Sequence, residues 1–310
     1  MMGLDILIPT YNRSTLLGEC LESVLRSTSL ADWRVTVIDN NSKDDTRQVV
    51  ESFAARSDRV RYLFEKTQGK SAALNSGIKA SDSDVIGMID DDEQLHPEWV
   101  GIVAKWMEDP RIDYIGGPYL GLWRTEKPEW IPAGYEGVLS ADDPAHIPDS
   151  PLRFPDARVF LRGGNAVMRR SVFDRIGGYR TDIGRFGTGL GSCEDHEIYT
   201  RLLAAGLTGY YVPDLIIYHV VPPERVTREY YRKWAKGQAE SLGLLDRANP
   251  QKVPYVGRVP RYMIGDAVKA LPALSSSDRG RRFAAELRWW TLAGFVNGAY
   301  RKAPPVNGNH

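Results

Sequence analysis

The chain has 310 residues, of which 42% are hydrophobic and 26% are charged, the proportions of an ordinary soluble globular protein. Its 40 basic and 40 acidic residues cancel. A general nucleic-acid-binding protein needs a basic excess to neutralise phosphates, so the balance argues against that class and against nucleic acid as a partner. The length suits one large α/β domain, alone or with an appendage.

The cysteines and the apolar runs of the sequence indicate the cellular compartment of the protein. The two cysteines, Cys20 and Cys193, form no disulfide framework, and Cys20 falls on the apolar stripe of a predicted helix. The run at 4–8 contains a charge and is stopped by Pro9, unlike a signal peptide. The uncharged run at 289–300 is shorter than the roughly 20 residues of a membrane-spanning helix. We therefore predict a reduced, cytoplasmic protein and leave peripheral membrane attachment open.

Strand and helix patterns alternate over the first hundred or so residues, which is typical of a mainly parallel sheet flanked by helices. The patterns predict strands over residues 4–8, 34–38, 60–64 and 85–89. They predict helices over residues 16–25, 69–79 and 97–107, the last with Pro97 in its first turn. A further helix is predicted after an N-cap signal formed by Ser42 and Asp45.

The alternation of strand and helix patterns stops at 118–155, where seven prolines make long regular elements improbable. We interpret this segment as a folded connecting excursion. Regular structure is predicted to return in strands at 165–168, 210–212 and 215–219 and in helices at 171–176 and 194–205. A helix-rich tail is predicted from about Glu224.

Four adjacent carboxylates, Asp90, Asp91, Asp92 and Glu93, follow the apolar strand at 85–89. Open α/β sheets bind ligands at the carboxyl ends of their strands. Such a cluster repels itself and is stabilised by a hard cation with oxygen ligands, so it indicates a Mg²⁺ or Mn²⁺ site that also engages substrate phosphates. A solvated acidic turn is the alternative, and the run by itself leaves both open.

Polar residues also follow three other predicted strands, and all would lie on the same edge of the sheet. These segments are Pro9-Thr10-Tyr11-Asn12-Arg13, Asp39-Asn40-Asn41-Ser42 and Gln68-Gly69-Lys70. A carboxylate there can accept hydrogen bonds from a base or ribose, and Arg13 or Lys70 can face phosphate oxygens. Taken singly, each segment is better explained by turn and helix-capping chemistry.

Two other nucleotide-binding motifs are incomplete. Gly69-Lys70-Ser71 matches the end of a P-loop, but Phe64 stands where the upstream glycine is needed. The segment at 187–192 is like a dinucleotide fingerprint, but it ends in Ser192 instead of glycine and follows no first strand. We therefore exclude both motifs.

In their order and spacing, the motifs of residues 4–235 resemble those of glycosyltransferase family 2, the inverting transferases of the GT-A fold. The matching segments are Ile8-Pro9-Thr10-Tyr11-Asn12-Arg13, Val37-Ile38-Asp39-Asn40-Asn41-Ser42, Gly69-Lys70-Ser71-Ala72-Ala73-Leu74-Asn75, Ile89-Asp90-Asp91-Asp92, Gly163-Gly164-Asn165, Glu194-Asp195-His196-Glu197 and His219. The resemblance implies an α/β GT-A fold, a mainly parallel Rossmann-like sheet flanked by helices with a helical C-terminal extension.

The resemblance also implies metal-dependent transfer of a sugar from a nucleotide sugar, usually a UDP-sugar, to a hydroxyl of a saccharide or lipid-linked acceptor. Implied donor-site residues are Pro9, Thr10, Tyr11, Asn12, Arg13, Asp39, Lys70, Asn75, Asp90 and Asp91. Asp92 and His219 would bind Mn²⁺ or Mg²⁺, and Asp195 would be the catalytic base. Implied acceptor-site residues are Gly163, Gly164, Asn165 and Glu194.

Several assignments have structural alternatives. Many family members have a small residue at one position of the triplet, so which Asp ligates the metal stays open. His219 can equally be a structural donor at a strand end. Acidic residues at 194–195 also suit a helix N-terminus, because they complement its dipole.

The resemblance divides the chain into three parts: a nucleotide-sugar-binding half at 1–117, an acceptor-binding half at 118–223 and a helical extension at 224–310. It fades beyond Pro222, so it does not identify the acceptor; polysaccharide, glycolipid and cell-surface glycan synthesis are all compatible. The Arg-rich, aromatic stretch at 258–302 suits a membrane interface, although a helix packed on the catalytic domain is the simpler explanation.

Two rival functions remain. A sugar nucleotidyltransferase would carry a Gly-rich, basic loop after its first strand, and the sequence has none there. A non-catalytic binding module has no use for a full set of metal, base and donor residues, although an inactive relative would have the same motifs.

Overall fold

The structure is a computed structural model that describes residues 3–29, 31–132, 135–183 and 193–301. The fingerprint-like segment at 187–192 and Lys302, both considered above, lie outside the described residues. Among the described helices, none combines the length and apolar character required to cross a bilayer.

The described residues form thirteen strands and nine α-helices. The strands are β1 (Leu4–Thr10), β2 (Trp33–Asp39), β3 (Val60–Phe64), β4 (Val85–Met88), β5 (Glu93–Leu95), β6 (Tyr114–Gly116), β7 (Tyr119–Trp123), β8 (Leu152–Arg153), β9 (Ala166–Arg169), β10 (Gly209–Tyr211), β11 (Ile217–Val221), β12 (Tyr255–Val256) and β13 (Val259–Pro260). The α-helices are α1 (Ser14–Leu25), α2 (Thr46–Ala54), α3 (Lys70–Ala80), α4 (Trp99–Met107), α5 (Arg170–Ile176), α6 (Glu194–Ala204), α7 (Arg228–Ala248), α8 (Arg261–Ala270) and α9 (Arg279–Tyr300). Short 3-10 turns occur at Glu136–Leu139, Pro144–His146, Gly163–Asn165, Pro223–Arg225 and Leu271–Ser275.

The central sheet has eight strands in the order β3-β2-β1-β4-β9-β6-β10-β8. The first four are mutually parallel, and β9 pairs antiparallel with both β4 and β6. All seven residues of β1 are buried, as expected of a strand covered by helices on both faces. The structure confirms the predicted α/β class with a mainly parallel sheet.

Apolar stripes on the helices cover the two faces of this sheet. One core joins the sheet to α1, α2 and α4 through residues such as Leu21, Val50 and Val103. The other joins it to α3, α5 and α6 through residues such as Leu74 and Leu202. Because helices cover both faces of the sheet, a ligand-binding cleft is expected at the edge where the parallel strands have their carboxyl ends.

Three local features differ from the sequence prediction. Helix α2 begins at Thr46, and it is Asp44 that accepts the Thr46 N–H, while the Ser42 hydroxyl accepts an N–H from Asn12. Helix α4 begins two residues after Pro97, so that proline precedes the helix. The short strands β5, β6, β7, β8, β12 and β13 were not predicted, because two to five residues carry too little periodicity to be recognised.

Strands β5, β11 and β7 form a second, smaller sheet beside the first. Strand β11 pairs antiparallel with β5 and parallel with β7. The register places Glu93 opposite His219. The end of the acidic run is therefore held against the predicted histidine by main-chain pairing.

Helices α7 and α9 pack closely in the C-terminal extension. A Cβ atom added to Gly294 of α9 would lie 2.2 Å from the carbonyl oxygen of Lys236 in α7, and one added to Gly298 would lie 1.9 Å from that of Glu240. Phe283 and Leu287 of α9 share a core with Tyr231 of α7. The predicted helix-rich tail is present, and one face of its last helix is a packing face.

We predict that Gly294→Ala lowers the free energy of unfolding by about 1–3 kcal/mol, because the added methyl group forces the backbones of α7 and α9 apart. Gly265→Ala in α8 is the matched control, since no atom lies within 4 Å of the added Cβ. That change should raise the unfolding free energy by about 0.5–1 kcal/mol through lost chain entropy. Urea denaturation measures both, and equal effects would contradict the close-packing explanation.

Candidate active site

A cleft of about 620 Å³ opens at the carboxyl ends of the parallel strands. Residues that follow β1, β2, β3 and β4 line it, including Tyr11, Asn40, Lys70 and Asp90. These four strand ends meet at one edge of the sheet, as predicted. The wall also includes residues from each of the three predicted parts of the chain.

The acidic run after β4 is buried in this cleft. Asp91 and Asp92 are each 4% exposed, which excludes a solvated turn. The Thr10 hydroxyl donates to Asp91 at 2.8 Å, and Nη1 of Arg13 lies 2.8 Å from Asp91 and 3.1 Å from Asp92. Burial raises the pKa of Asp91 to about 6 against the opposing charge of Arg13.

Asp92 lies between two further cationic or imidazole side chains. Nη2 of Arg225 donates to Asp92 Oδ2 at 2.7 Å, and Nε2 of His219 lies 3.6 Å from Asp92 Oδ1. Nη1 of Arg225 is also 3.2 Å from His219 Nε2. The carbonyl oxygen of Asp92 accepts the Val220 N–H at 2.8 Å, which fixes the turn against β11.

The donor chemistry of Asp92 and His219 fits a divalent cation. A carboxylate oxygen and an imidazole nitrogen are both ligands that Mn²⁺ accepts. The Arg225 guanidinium already places a positive charge beside both side chains. In the part of the chain that the structure describes, no three His, Cys, Asp or Glu side chains form a cation site by themselves. The remaining ligands of such an ion would come from a bound diphosphate or water.

The glycine pair of the 3-10 turn at Gly163–Asn165 makes room for two carboxylates. A Cβ atom on Gly163 would lie 2.0 Å from Oδ1 of Asp195, and one on Gly164 would lie 2.1 Å from Oε1 of Glu93. Both oxygens are buried, and neither has a hydrogen-bond partner among the described residues. The glycines therefore allow the backbone to lie directly against two buried carboxylate oxygens.

Glu93 is the most deeply buried member of the acidic run. It is 1% exposed, and its Oε2 accepts the Asp90 N–H at 2.7 Å. Burial raises the pKa of Glu93 well above its ordinary value, and the charges of Asp90 and Asp92 add to the effect. This side chain ties the ends of the acidic turn together.

Lys70, the first residue of α3, extends into the centre of the acidic group. Its Nζ lies 2.5 Å from Oδ1 of Asp90. Burial opposes the charge, but the carboxylates of Asp90, Asp195 and Glu194 hold the pKa of Lys70 well above its ordinary value. The ammonium thus places a positive charge between the acidic run and the start of α6.

Five of the residues that the resemblance implied are set back from the cleft wall: Asn12, Asp39, Asn75, Gly163 and Asn165. Asp39 accepts hydrogen bonds of 2.8 Å from the Ser42 N–H and the Tyr62 hydroxyl. Burial and the Asp39 interaction raise the pKa of Tyr62 to about 12. The Asn75 amide makes two 2.8 Å hydrogen bonds with the backbone of Tyr179.

Asn165 is fully buried and holds three segments together. Its Oδ1 accepts from the Trp99 indole at 2.9 Å, and its Nδ2 donates to the carbonyl oxygens of Leu215 at 2.7 Å and Pro118 at 3.3 Å. These bonds position the turn whose glycines lie against Asp195 and Glu93. The structure thus gives Asn165 a positioning role behind the wall.

Sequence reasoning missed the side chains that close the far side of the cleft. Trp234, Gln238 and Leu242 of α7 line it at four-residue intervals, which places them on one face of the helix. Phe160 and Arg162 line the wall beside the glycine pair. The helical spacing was visible in the sequence, but the sequence alone could not tell which face of α7 meets the cleft.

Comparison with known families agrees with this geometry. The family model described as Glycosyl transferase family 2 matches residues 5–177, which is more than half of the chain and includes the acidic run. The chain therefore belongs to glycosyltransferase family 2, as its motifs indicated.

A solved mannosyltransferase from Pyrobaculum calidifontis, in complex with GDP-Man and Mn²⁺, has a similar fold. It aligns with a TM-score of 0.63 and 18% identity, covering 96% of this chain and 87% of that chain. The likeness confirms the GT-A fold.

Among curated relatives, a glucosyl-dolichyl phosphate glucuronosyltransferase of Haloferax volcanii is 29% identical over 192 residues, 60% of this chain. A chondroitin synthase of Escherichia coli is 26% identical over 304 residues, 88% of this chain. The chain spans 58% of the length of the first relative and 42% of the second.

Proposed function

We propose that this chain is a metal-dependent, inverting glycosyltransferase that moves a sugar from a nucleotide sugar, in the first place a UDP-sugar, to a hydroxyl acceptor. The observation that carries the proposal is one cleft that holds both a buried cation-compatible group, Asp91 with Asp92, and a second, partly buried carboxylate, Asp195. Membership of glycosyltransferase family 2 and a structural neighbour complexed with GDP-Man and Mn²⁺ support it.

The donor end of the cleft is assigned to the strand ends. Pro9, Thr10 and Tyr11 line it beside Arg13 and Lys70, and these two cations suit the diphosphate of the donor. Asp39 and Asn12 stabilise the adjoining loops from behind the wall on the nucleoside side. Asp92 and His219 would hold Mn²⁺ or Mg²⁺, whose chemistry when bound is to compensate charge on the departing nucleoside diphosphate.

Asp195 is assigned as the base. The residue lines the cleft and is only partly buried, so its carboxylate can meet an incoming hydroxyl, while Oδ1 lies against Gly163 and accepts no hydrogen bond from the described residues. The side chain takes the proton of that hydroxyl as the acceptor oxygen bonds to the anomeric carbon opposite the leaving group, which inverts the configuration. Gly163 permits this placement because any larger residue would occupy the position of the carboxylate.

The acceptor side is assigned to the wall formed by Phe160, His196 and the cleft-facing residues of α7. The rings of Phe160 and His196 stack with centroids 5.8 Å apart, and Phe160 is 38% exposed. Together with Trp234 and Leu242 they offer apolar surface for the C–H faces of a sugar, and Gln238 offers amide donors and acceptors. This surface suits a saccharide or the sugar of a lipid-linked acceptor in polysaccharide, glycolipid or cell-surface glycan synthesis.

The proposed donor site predicts a nucleotide- and metal-dependent gain in stability. UDP at about a hundred times its Kd, with Mn²⁺ present, should stabilise the fold by about 2.7 kcal/mol in a thermal-shift measurement. Asp92→Asn should remove the Mn²⁺ dependence, whereas Asp174→Asn on the exposed side of α5 should not. If GDP stabilised the protein and UDP did not, the donor would be assigned as a GDP-sugar. Stabilisation by NAD alone would refute the proposal that the protein uses a nucleotide sugar.

The proposed base predicts a separation of binding from turnover. Asp195→Asn should keep the UDP and Mn²⁺ stabilisation but lose transfer by at least about 100-fold, because the amide cannot accept the hydroxyl proton. Metal-dependent UDP release from a panel of UDP-sugars and saccharide acceptors measures turnover, with Asp174→Asn as the matched control. Retained turnover in Asp195→Asn would remove Asp195 as the base.

The proposed acceptor wall predicts a KM effect. Trp234→Ala should raise the KM for a saccharide acceptor about tenfold, because the ring surface against the sugar is lost. The nucleotide stabilisation should be unchanged. Trp289→Ala, the same change at an exposed position of α9 outside the cleft, is the control. If the KM for the donor changed and the KM for the acceptor did not, Trp234 would be assigned to the donor site instead.

A further inference from the structure

Exposed apolar side chains are concentrated at one end of the chain. Among the described residues, twelve large hydrophobic side chains are strongly exposed, and ten of them lie between residues 253 and 300. The ten are Val253, Val256, Tyr262, Val268, Leu271, Leu274, Trp289, Trp290, Val296 and Tyr300. Most lie on α8, the 3-10 turn that follows it and α9, which pack on one another. A soluble surface rarely gathers so many unless the patch binds something.

Helix α9 has two distinct apolar faces. Phe283, Leu287 and Phe295 are buried within the extension. Trp289, Ala293, Val296 and Tyr300 recur at intervals of four, three and four residues, so they form a second stripe, and all four are exposed. Packing within the extension therefore buries one face of the helix and leaves the other exposed, and on that exposed face Tyr300 contacts Arg258, whose N–H donates to the Tyr300 hydroxyl.

The same region has an excess of basic residues, although the chain as a whole is neutral. Residues 249–301 contain nine Lys and Arg against three Asp and Glu, in a chain whose total charge is zero. All nine cations are exposed. In the described part of the chain only Arg301 forms an ion pair with an acidic side chain, Glu240. Arg258 donates to the Ala299 carbonyl oxygen and lies over the Tyr300 ring, and the other seven are available to an external anionic surface.

We propose that α8, α9 and the turn between them dock on the surface of an anionic lipid bilayer. Trp and Tyr side chains suit the headgroup region, because they combine an apolar ring with a polar atom. Unpaired cations around an apolar stripe are attracted to anionic headgroups. The described helices lie on the bilayer in this arrangement and do not cross it.

A second copy of the chain fits this surface less well. A two-fold interface places the same patch on both sides, so the basic excess of one copy would face that of the other. An anionic bilayer has the opposite charge. The membrane is therefore the occupant that both the apolar and the charged residues favour.

The docking surface also has a geometric relation to the cleft. Helix α7 lies against α9 through Lys236 and Glu240, while Trp234 and Gln238 of the same helix line the cleft. Docking through α9 would hold the cleft one helix layer away from the bilayer surface. A lipid-linked acceptor could reach it there, but the docking itself does not depend on the proposed reaction.

Vesicle flotation of the full chain tests the proposal. With phosphatidylcholine vesicles containing phosphatidylglycerol at low salt, the protein should float with the vesicles, and binding should weaken in high salt or without the anionic lipid. Arg282→Glu with Arg288→Glu should lower the partition coefficient at least about 25-fold, since each cation near an anionic surface contributes about fivefold. Trp289→Ser with Val296→Ser should lower it at least about fivefold through lost apolar burial.

Matched controls lie outside the C-terminal extension. Phe64→Ser removes a more exposed apolar ring from β3, and Arg26→Glu with Lys79→Glu reverses two exposed cations of the nucleotide-sugar-binding half. Neither should change flotation, and urea unfolding verifies that all variants are folded. No flotation of the wild-type chain, an unchanged partition of the Trp289 and Val296 variant, or equal losses in the controls would overturn the proposal. So would a wild-type dimer that these substitutions convert to a monomer without vesicle binding.

Discussion

Two buried carboxylates, Asp91 and Asp92, depend on the cations that compensate their charge. An unpaired carboxylate at this depth would cost on the order of several kcal/mol or would take up a proton. Arg13 approaches them from the segment after β1, and Arg225 approaches Asp92 from the 3-10 turn after β11. The acidic turn therefore acquires its cleft geometry only when both ends of the catalytic fold have assembled around it.

The C-terminal extension takes part in this assembly. Arg225 lies at its beginning, and α7 places Trp234 and Gln238 in the cleft wall. The opposite side of α7 packs closely on α9, because glycines of α9 allow the two backbones to come into contact. The site that the family motifs describe is thus completed by a segment in which those motifs have faded, and this is where acceptor selection would be expected to vary between relatives.

The strands that carry strong patterns were predictable. Strands β1 to β4, helices α1, α3 and α4, and the meeting of four strand ends at one edge all follow from apolar periodicity and parallel topology. Strand β5 was not predicted, because its three residues acquire strand geometry only by pairing with β11, about 120 residues later. Asn165 shows the same limit, since its chemistry suggested a ligand contact, whereas its three partners come from distant segments.

The sequence by itself determined the family, the sheet edge and the types of side chain gathered there, because these depend on local patterns and on motif order. Only the tertiary structure decided which of those side chains face the cleft, since burial and partner choice depend on contacts between segments far apart in the chain. Asp39 and Asn75 were set back by such contacts, and Arg225 and Trp234 were brought in. The two faces of α9 could be told apart only for the same reason. Aromatic residues occur on both faces, but Phe283 and Phe295 are buried on the side that meets α7 and α8, whereas Trp289 and Tyr300 are exposed on the other side.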